Sequence, residues 1–121
     1  MKEQRFRKLE VWIKAMDFVE MIYKITNNFP LRETYGLTSQ LRRATLSIAL
    51  NIAEGSGSSS DREFSRFLNI SLRSSYEVMC GIEVVRRLKY CDDNAISILS
   101  DRCDEISAML TGLKRKLKAD G

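Results

Sequence analysis

The sequence predicts an all-α protein that folds as an antiparallel up-down-up-down four-helix bundle. The first observation is an apolar residue at every third or fourth position from residue 96 to residue 117, which places one narrow seam along a helix. The second is that the same spacing of apolar residues recurs in three other segments. The third is the scarcity of helix breakers, since 121 residues contain one proline and six glycines. Short connections make neighbouring helices antiparallel, so we expect one domain spanning residues 1–121.

The first two helices are predicted over residues 8–28 and 37–54. Pro30 ends the first helix, because the residue before a proline is displaced from the helical region, and a short turn follows. Gly36 precedes the second helix, whose apolar residues again recur every three or four positions. The run Gly55-Ser56-Gly57-Ser58-Ser59 then predicts a loop.

The third and fourth helices carry capping signals at their first turns. Ser60 and Glu63 match the S-x-x-E capping box, so helix three should begin at Asp61. Either Asp92 or Asp93 should cap helix four. In this topology one pole of the bundle holds the start of helix one, the Gly/Ser loop and the end of helix four. The acidic start of helix four lies at the opposite pole.

Composition excludes several classes of chemistry. The chain has no histidine, which removes Ser-His-Asp and Cys-His catalysis and metal sites with imidazole ligands. Its carboxylates show no pairing suited to acid–base catalysis or metal binding. We therefore expect a protein without enzymatic activity, metal or cofactor. Three cysteines without a CxxC pair indicate reduced thiols in a cytoplasmic protein, and no segment is apolar enough to span a membrane.

The formal net charge of +4 favours a polyanionic partner, and the distribution of charge is more informative than its sum. Basic residues near both chain ends meet at one pole beside the Gly/Ser loop, which predicts a nucleic-acid surface there. The alternative is a solvated loop beside solvated termini. Two adjacent arginines on helix two are a second candidate, because at most one of them can lie at the core edge. The predicted nucleic-acid-binding residues are Arg42, Arg43, Arg62, Arg66, Lys114 and Arg115.

Asn51 and Glu54 are predicted to have a structural role at the end of helix two. Asn51 continues the core register of Ala44 and Ile48, so its amide should be buried and hydrogen-bonded. Glu54 lies three residues further on the same face, and we expect it to pair with Asn51 or with Arg62. The alternative interpretation makes Glu54 a general base.

Helices one and two carry more apolar surface than a monomeric bundle needs to bury. Helix one has two apolar stripes side by side, and helix two has a second stripe away from its core stripe. Because soluble monomers rarely expose a large apolar patch, we predict a homo-oligomer with these two helices at the contact. The predicted interface residues are Val11, Phe18, Leu46 and Leu50.

Several short segments occur in a distinctive order along the chain: Tyr35-Gly36-Leu37-Thr38, Gln40-Leu41-Arg42-Arg43-Ala44, Asn51-Ile52-Ala53-Glu54-Gly55 and Glu63-Phe64. In this order they resemble the bacterial four-helix bundle family that includes the 23S rRNA intervening-sequence proteins. The resemblance implies a cytoplasmic bundle that assembles as a ring-like pentamer and has no established catalytic activity. It also implies an association with RNA or another nucleic acid. Ser58 stands where the family often has arginine, which weakens the case for anion binding at the loop.

Taken together, the sequence predicts a non-enzymatic, oligomeric protein that associates with RNA or another nucleic acid through a basic surface. No base-reading motif is present, so specificity should come from RNA shape. The alternative is a protein–protein scaffold or accessory factor with no direct role in nucleic-acid binding.

Overall fold

The computed structural model describes residues 4–120, with side chains described as far as residue 118. A 3-10 turn precedes the first helix at Arg5–Lys8, and a second one lies between the first two helices at Leu31–Glu33. The described residues include no strand, which confirms the all-α prediction. The four helices are α1 (Glu10–Thr26), α2 (Leu37–Ser56), α3 (Asp61–Leu88) and α4 (Asp93–Asp120).

Consecutive helices run antiparallel, as the contacts between α2 and α3 demonstrate. Leu41 near the start of α2 meets Gly81 late in α3, and Gly55 at the end of α2 meets Phe67 early in α3. A Cβ atom on Gly55 would lie 2.7 Å from the Cβ of Phe67, and one on Gly81 would lie 2.5 Å from Cδ2 of Leu41. The absence of a side chain at these two positions therefore lets the helices approach closely.

Serine hydroxyls also take part in the α2–α3 contact. Ser71 Oγ donates to the carbonyl oxygen of Ile48 at 2.8 Å, and Ser74 Oγ donates to Ser47 Oγ at 2.9 Å. Within the described part of the chain every buried side-chain nitrogen or oxygen has a hydrogen-bond partner. Burial of these hydroxyls is therefore compensated, and their small size keeps the two helices close.

One of the two apolar stripes of α1 faces the core, and it is the stripe that contains Val11 and Phe18. These side chains are only 4% and 2% exposed, and Ala15 and Ile22 lie beside them in the core. The prediction that Val11 and Phe18 form the oligomer contact is therefore wrong. Positions 11, 15, 18 and 22 all face the bundle axis because their spacing follows the helical period, whereas Met16 and Tyr23 of the neighbouring stripe are 37% and 39% exposed.

The predicted caps are confirmed at the first turns of α3 and α4. Ser60 Oγ accepts a hydrogen bond from the backbone N–H of Glu63 at 3.1 Å, and α3 begins at Asp61 as expected. Asp92 Oδ1 accepts from the backbone N–H of Ala95 at 2.8 Å, so Asp92 caps α4. Each bond satisfies an N–H group that the helix itself leaves without a partner.

The connections separate the two ends of the bundle, and both ends carry several arginine and lysine side chains. The basic pole holds the start of α1, the α2–α3 loop, the first turns of α3 and the last turns of α4. The opposite pole holds the end of α1, the start of α2 and the α3–α4 connection. At the basic pole the Arg5 guanidinium carbon lies 5.3 Å from the ring centroid of Phe64, and Lys114 Nζ donates to Asn69 Oδ1 at 3.0 Å. None of the described helices is long and apolar enough for a membrane span.

Candidate nucleic-acid interface

A groove of about 710 Å³ runs between the first half of α3 and the last turns of α4, at the basic pole. Four of its lining residues are cationic and one is a carboxylate, so the groove favours an anionic ligand. Its lining consists of Asp61, Arg62, Ser65, Leu72, Thr111, Lys114, Arg115, Leu117 and Lys118.

A shallower extension of about 390 Å³ continues this groove across the α3 surface. Arg62, Ser65 and Lys114 line both parts and therefore lie at their junction. The extension adds mainly polar groups, which are those of Glu63, Arg66 and Asn69. An extended ligand with several negative charges would follow the groove and its extension.

The cations of the groove differ in how far the protein already engages them. Arg62 and Arg115 are exposed, and among the described residues neither side chain has an ion pair or a hydrogen-bond partner. Lys114 is half-buried and gives one hydrogen bond to Asn69. An ammonium has three donors, so Lys114 retains donors for an anion while Asn69 fixes its position.

Arg66 is already partly neutralised. One of its guanidinium nitrogens lies 2.6 Å from Oε1 of Glu63, and the guanidinium lies over the ring of Phe67, 4.9 Å from the ring centroid. The hydrogen bond from Arg66 lowers the pKa of the Glu63 carboxyl, so this carboxylate stays ionised beside the arginine. Arg66 therefore contributes less free positive charge than Arg62 or Arg115.

Arg42 does not lie in the groove, because it is bonded to the end of α1 at the opposite pole. Its Nε donates to Thr26 Oγ1 at 2.9 Å, and its Nη2 donates to Asn27 Oδ1 at 3.0 Å. The guanidinium also lies 4.6 Å from the centroid of the Tyr23 ring. These contacts make Arg42 a clamp between α1 and α2, which corrects the prediction that it binds nucleic acid.

Arg43 is the solvent-facing member of the pair, as expected for two residues separated by ~100° around a helix. It is exposed and donates from Nη2 to Gln40 Oε1 at 2.8 Å. Like Arg42 it lies near the start of α2, at the end of the bundle away from the groove. The predicted binding residues thus form two separate groups. The groove surface holds Arg62, Arg66, Lys114 and Arg115, and the opposite end of the bundle holds Arg42 and Arg43.

Asn51 is less buried than predicted, and its hydrogen-bond partner differs from the expected one. Its half-buried amide donates to the carbonyl oxygen of Ser47 at 2.8 Å and to Ser47 Oγ at 3.0 Å. Glu54 is exposed, and within the described part of the chain its side chain has no hydrogen bond or ion pair. Pairing of Glu54 with Asn51 or Arg62 is therefore not observed, because Asn51 turns back along its own helix.

The outward side of α1 and α2 is a second notable surface, here called the apolar face. It includes Ile13 (45% exposed), Met16 (37%), Leu46 (36%) and Leu50 (51%). The Arg42 clamp sets the register of these antiparallel helices, so residues before Tyr23 lie beside residues after Arg42. The exposed residues of the two helices therefore lie at similar levels along the bundle. Leu46 and Leu50 lie on the surface where they were predicted.

The floor of the groove was not predicted from the sequence. Leu117 belongs to the apolar seam of α4, and its spacing is the same as that of fully buried seam residues such as Leu110. Leu72 packs at the edge of the core on α3. The apolar spacing does not distinguish a leucine at the floor of a groove from a leucine in the core, so the groove could not be predicted from the sequence.

Comparison with known proteins agrees with this architecture. Residues 7–112 match the model of the family described as 23S rRNA-intervening sequence protein. The chain belongs to this family. A search of curated proteins finds no match.

Four solved chains also match this protein. One is a protein of unknown function from the S23 ribosomal protein family of Bacteroides thetaiotaomicron, which is 25% identical. The similarity has a TM-score of 0.78 and covers 86% of this chain and 97% of that chain. The four-helix bundle is therefore shared with a solved relative, whose function is also unknown.

Proposed function

We propose that this protein is a non-enzymatic, oligomeric RNA-binding protein that contacts backbone phosphates through the groove at its basic pole. The observation that carries the proposal is the grouping of Arg62, Lys114, Arg115 and Lys118 around one concavity. Arg62 and Arg115 are exposed there and have no partner among the described residues, so their guanidinium groups are available to phosphate oxygens.

The family supports RNA as the polyanion, since its description refers to an intervening sequence of 23S rRNA. Within the described residues no group of three or more histidine, cysteine, aspartate or glutamate side chains could hold a metal ion. Phosphate contacts fix the position of a protein on RNA without reading its sequence, so selectivity comes from RNA shape.

Self-association through the apolar face would strengthen such binding. In a closed ring of identical subunits whose bundles follow the symmetry axis, every basic pole lies on the same side of the ring. Several weak phosphate-binding grooves would then contact one RNA molecule together. The family resemblance favours a pentamer as the size of this ring.

The RNA proposal is tested by measuring affinity for a structured fragment of 23S rRNA between about 50 and 200 mM salt. Binding through several phosphates should weaken by orders of magnitude across this range. The double variant R62E/R115E should bind more weakly and should show a salt slope reduced by about 2, since two phosphate contacts are lost.

A matched control is the double variant K24E/R43E, which changes the net charge equally at the opposite pole. It should retain most of the wild-type affinity and slope. Equal losses in both double variants would mean that total charge, and not the groove, determines binding. No binding by the wild-type protein even at low salt would overturn the proposal and favour a protein–protein scaffold.

The oligomer is tested with two leucines of nearly equal exposure. Leu50 on the apolar face is 51% exposed, and Leu88 at the end of α3 is 50% exposed. Light scattering should report an assembled wild-type protein, a monomeric Leu50→Glu variant and an assembled Leu88→Glu variant. A monomeric wild-type protein at high concentration would refute self-association, and dissociation by Leu88→Glu alone would place the contact elsewhere.

A further inference from the structure

We propose that the groove between α3 and α4 holds one unpaired nucleotide of the RNA, with the base on its leucine floor and the phosphate against its cationic rim. This inference rests on the RNA-binding function proposed above and specifies the form of RNA that is recognised. It predicts a preference for bulges and loops over a continuous duplex.

The floor of the groove is unsuited to phosphate. Leu117 is 8% exposed and Leu72 is half-buried, so both present carbon atoms to the groove. The hydroxyl of Thr111 is already bonded to the carbonyl oxygen of Ser107 at 3.0 Å. A phosphate placed on this floor would lose hydration without gaining partners, whereas the face of a nucleobase is apolar and gains by burial.

The rim of the groove carries its charges asymmetrically. Lys114, Arg115 and Lys118 project from α4, and Arg62 lies on α3 beside the carboxylate of Asp61. A carboxylate repels phosphate, but it accepts a hydrogen bond from an amino group on a base. This arrangement places the phosphate along α4 and the edge of the base toward the start of α3.

The size of the groove agrees with one nucleotide. Its volume of about 710 Å³ lies within the range of small-molecule sites, roughly 300–1,000 Å³. In a continuous duplex the base faces are stacked inside, the deep and narrow major groove is closed to side chains, and the shallow minor groove displays only base edges and 2′-hydroxyls, so no base face could reach the leucine floor. An unpaired base can leave the stack and reach the leucine floor.

The experiment compares three RNA hairpins that share one stem. The first carries a single bulged adenosine, the second lacks the bulge, and the third carries an abasic residue at the bulge. We expect about tenfold tighter binding of the first hairpin than of the other two, which is roughly 1.4 kcal/mol and is of the size expected when one base face is buried against leucine side chains. A 2-aminopurine at the bulge should change its fluorescence on binding.

A variant that fills the groove with a larger uncharged side chain leaves the charges of the groove unchanged. Ser65→Leu places a larger side chain between α3 and α4 and should remove the preference for the bulge while leaving the salt slope intact. Thr111→Met fills the same groove from α4 and provides a second test if the first variant folds poorly. Ser39→Leu, at an exposed position near the start of α2, is the matched control and should retain the preference.

The outcomes separate this inference from the proposed function. Equal affinity for all three hairpins, with a salt slope that still depends on Arg62 and Arg115, would refute the nucleotide pocket and leave phosphate binding intact. A retained bulge preference in both filled variants would also refute it. Failure of every hairpin and of the rRNA fragment to bind would overturn the proposed function itself.

Discussion

The two ends of the bundle both carry arginines, yet the protein uses them differently. At the opposite pole Arg42 donates to Thr26 and Asn27 and lies over Tyr23, so its donors are engaged within the chain. At the basic pole Arg62 and Arg115 are exposed and have no partner among the described residues. The number of cations at one end of the bundle therefore does not by itself give the number that remains free to meet an anion.

The opposite pole is also held together by further polar contacts. Tyr90 Oη donates to Glu33 Oε2 at 2.8 Å and thereby connects the α3–α4 turn to the α1–α2 turn. Arg86 and Arg87 both bond to the carboxylate of Glu83, which lowers its pKa to about 2. The Tyr90–Glu33 bond connects two turns, whereas the contacts of Glu83 lie within α3 and reduce the free positive charge at this end. The basic pole differs in that several of its exposed cations line one groove.

The largest predicted effect concerns close packing near each end. In Gly55→Ala the new Cβ would meet Cβ of Phe67 at 2.7 Å and Cδ1 of Phe64 at 2.9 Å, and the first of these atoms cannot rotate away. We expect a loss of about 2–3 kcal/mol in the free energy of unfolding. Gly81→Ala should cost less, because the atom it meets is the flexible end of Leu41. Urea unfolding measures both losses, and a larger loss at Gly81 would contradict this packing argument.

The second prediction distinguishes the two adjacent arginines of α2. Arg42→Ala removes hydrogen bonds and a ring contact between α1 and α2, so we expect a loss of about 1–2 kcal/mol in unfolding free energy. Arg43→Ala removes one exposed hydrogen bond to Gln40 and should change stability by less than about 0.5 kcal/mol. Thermal or urea unfolding of both variants provides the comparison. Equal losses would show that Arg42 is not a clamp.

The smallest predicted effect is the pH dependence of the Tyr90–Glu33 bond. The hydrogen bond to Glu33 is the main cause that raises the pKa of Tyr90 above 10. Because the folded-state pKa is raised, the bond stabilises the fold fully below pH 10, and this contribution is lost as pH rises through the folded-state value. Tyr90→Phe should therefore be slightly less stable than the wild type at pH 8, and the difference should disappear at higher pH. A stability difference between the wild type and Tyr90→Phe that grows with pH would contradict this prediction.

Much of the fold could be predicted because its signals are local. The capping box at Ser60, the apolar seam of α4 and the proline after α1 each depend on residues a few positions apart. The choice between the two stripes of α1 could not be made this way. Val11 and Met16 are both apolar, and only packing against the other helices turns the first inward and leaves the second exposed.

The site could be predicted only in part, for a related reason. The topology brought Arg62, Lys114 and Arg115 together, because it follows from helix number and short loops. Helical geometry also indicated that at most one of the two arginines on α2 lies at the core edge, but it could not identify which one. That depends on where α1 ends beside α2, since Thr26 and Asn27 supply the acceptors for Arg42. Such a contact between distant residues leaves no local pattern.

The most direct test of the claim that RNA binds at the groove is a lysine acetylation footprint of the protein, both free and saturated with the 23S rRNA fragment. Lys114 and Lys118 line the groove, whereas Lys24 and Lys89 are exposed at the opposite pole. If RNA binds at the groove, we expect it to protect Lys114 and Lys118 from acetylation and to leave Lys24 and Lys89 as reactive as in the free protein. Equal protection at both ends, or protection confined to Lys24 and Lys89, would contradict it.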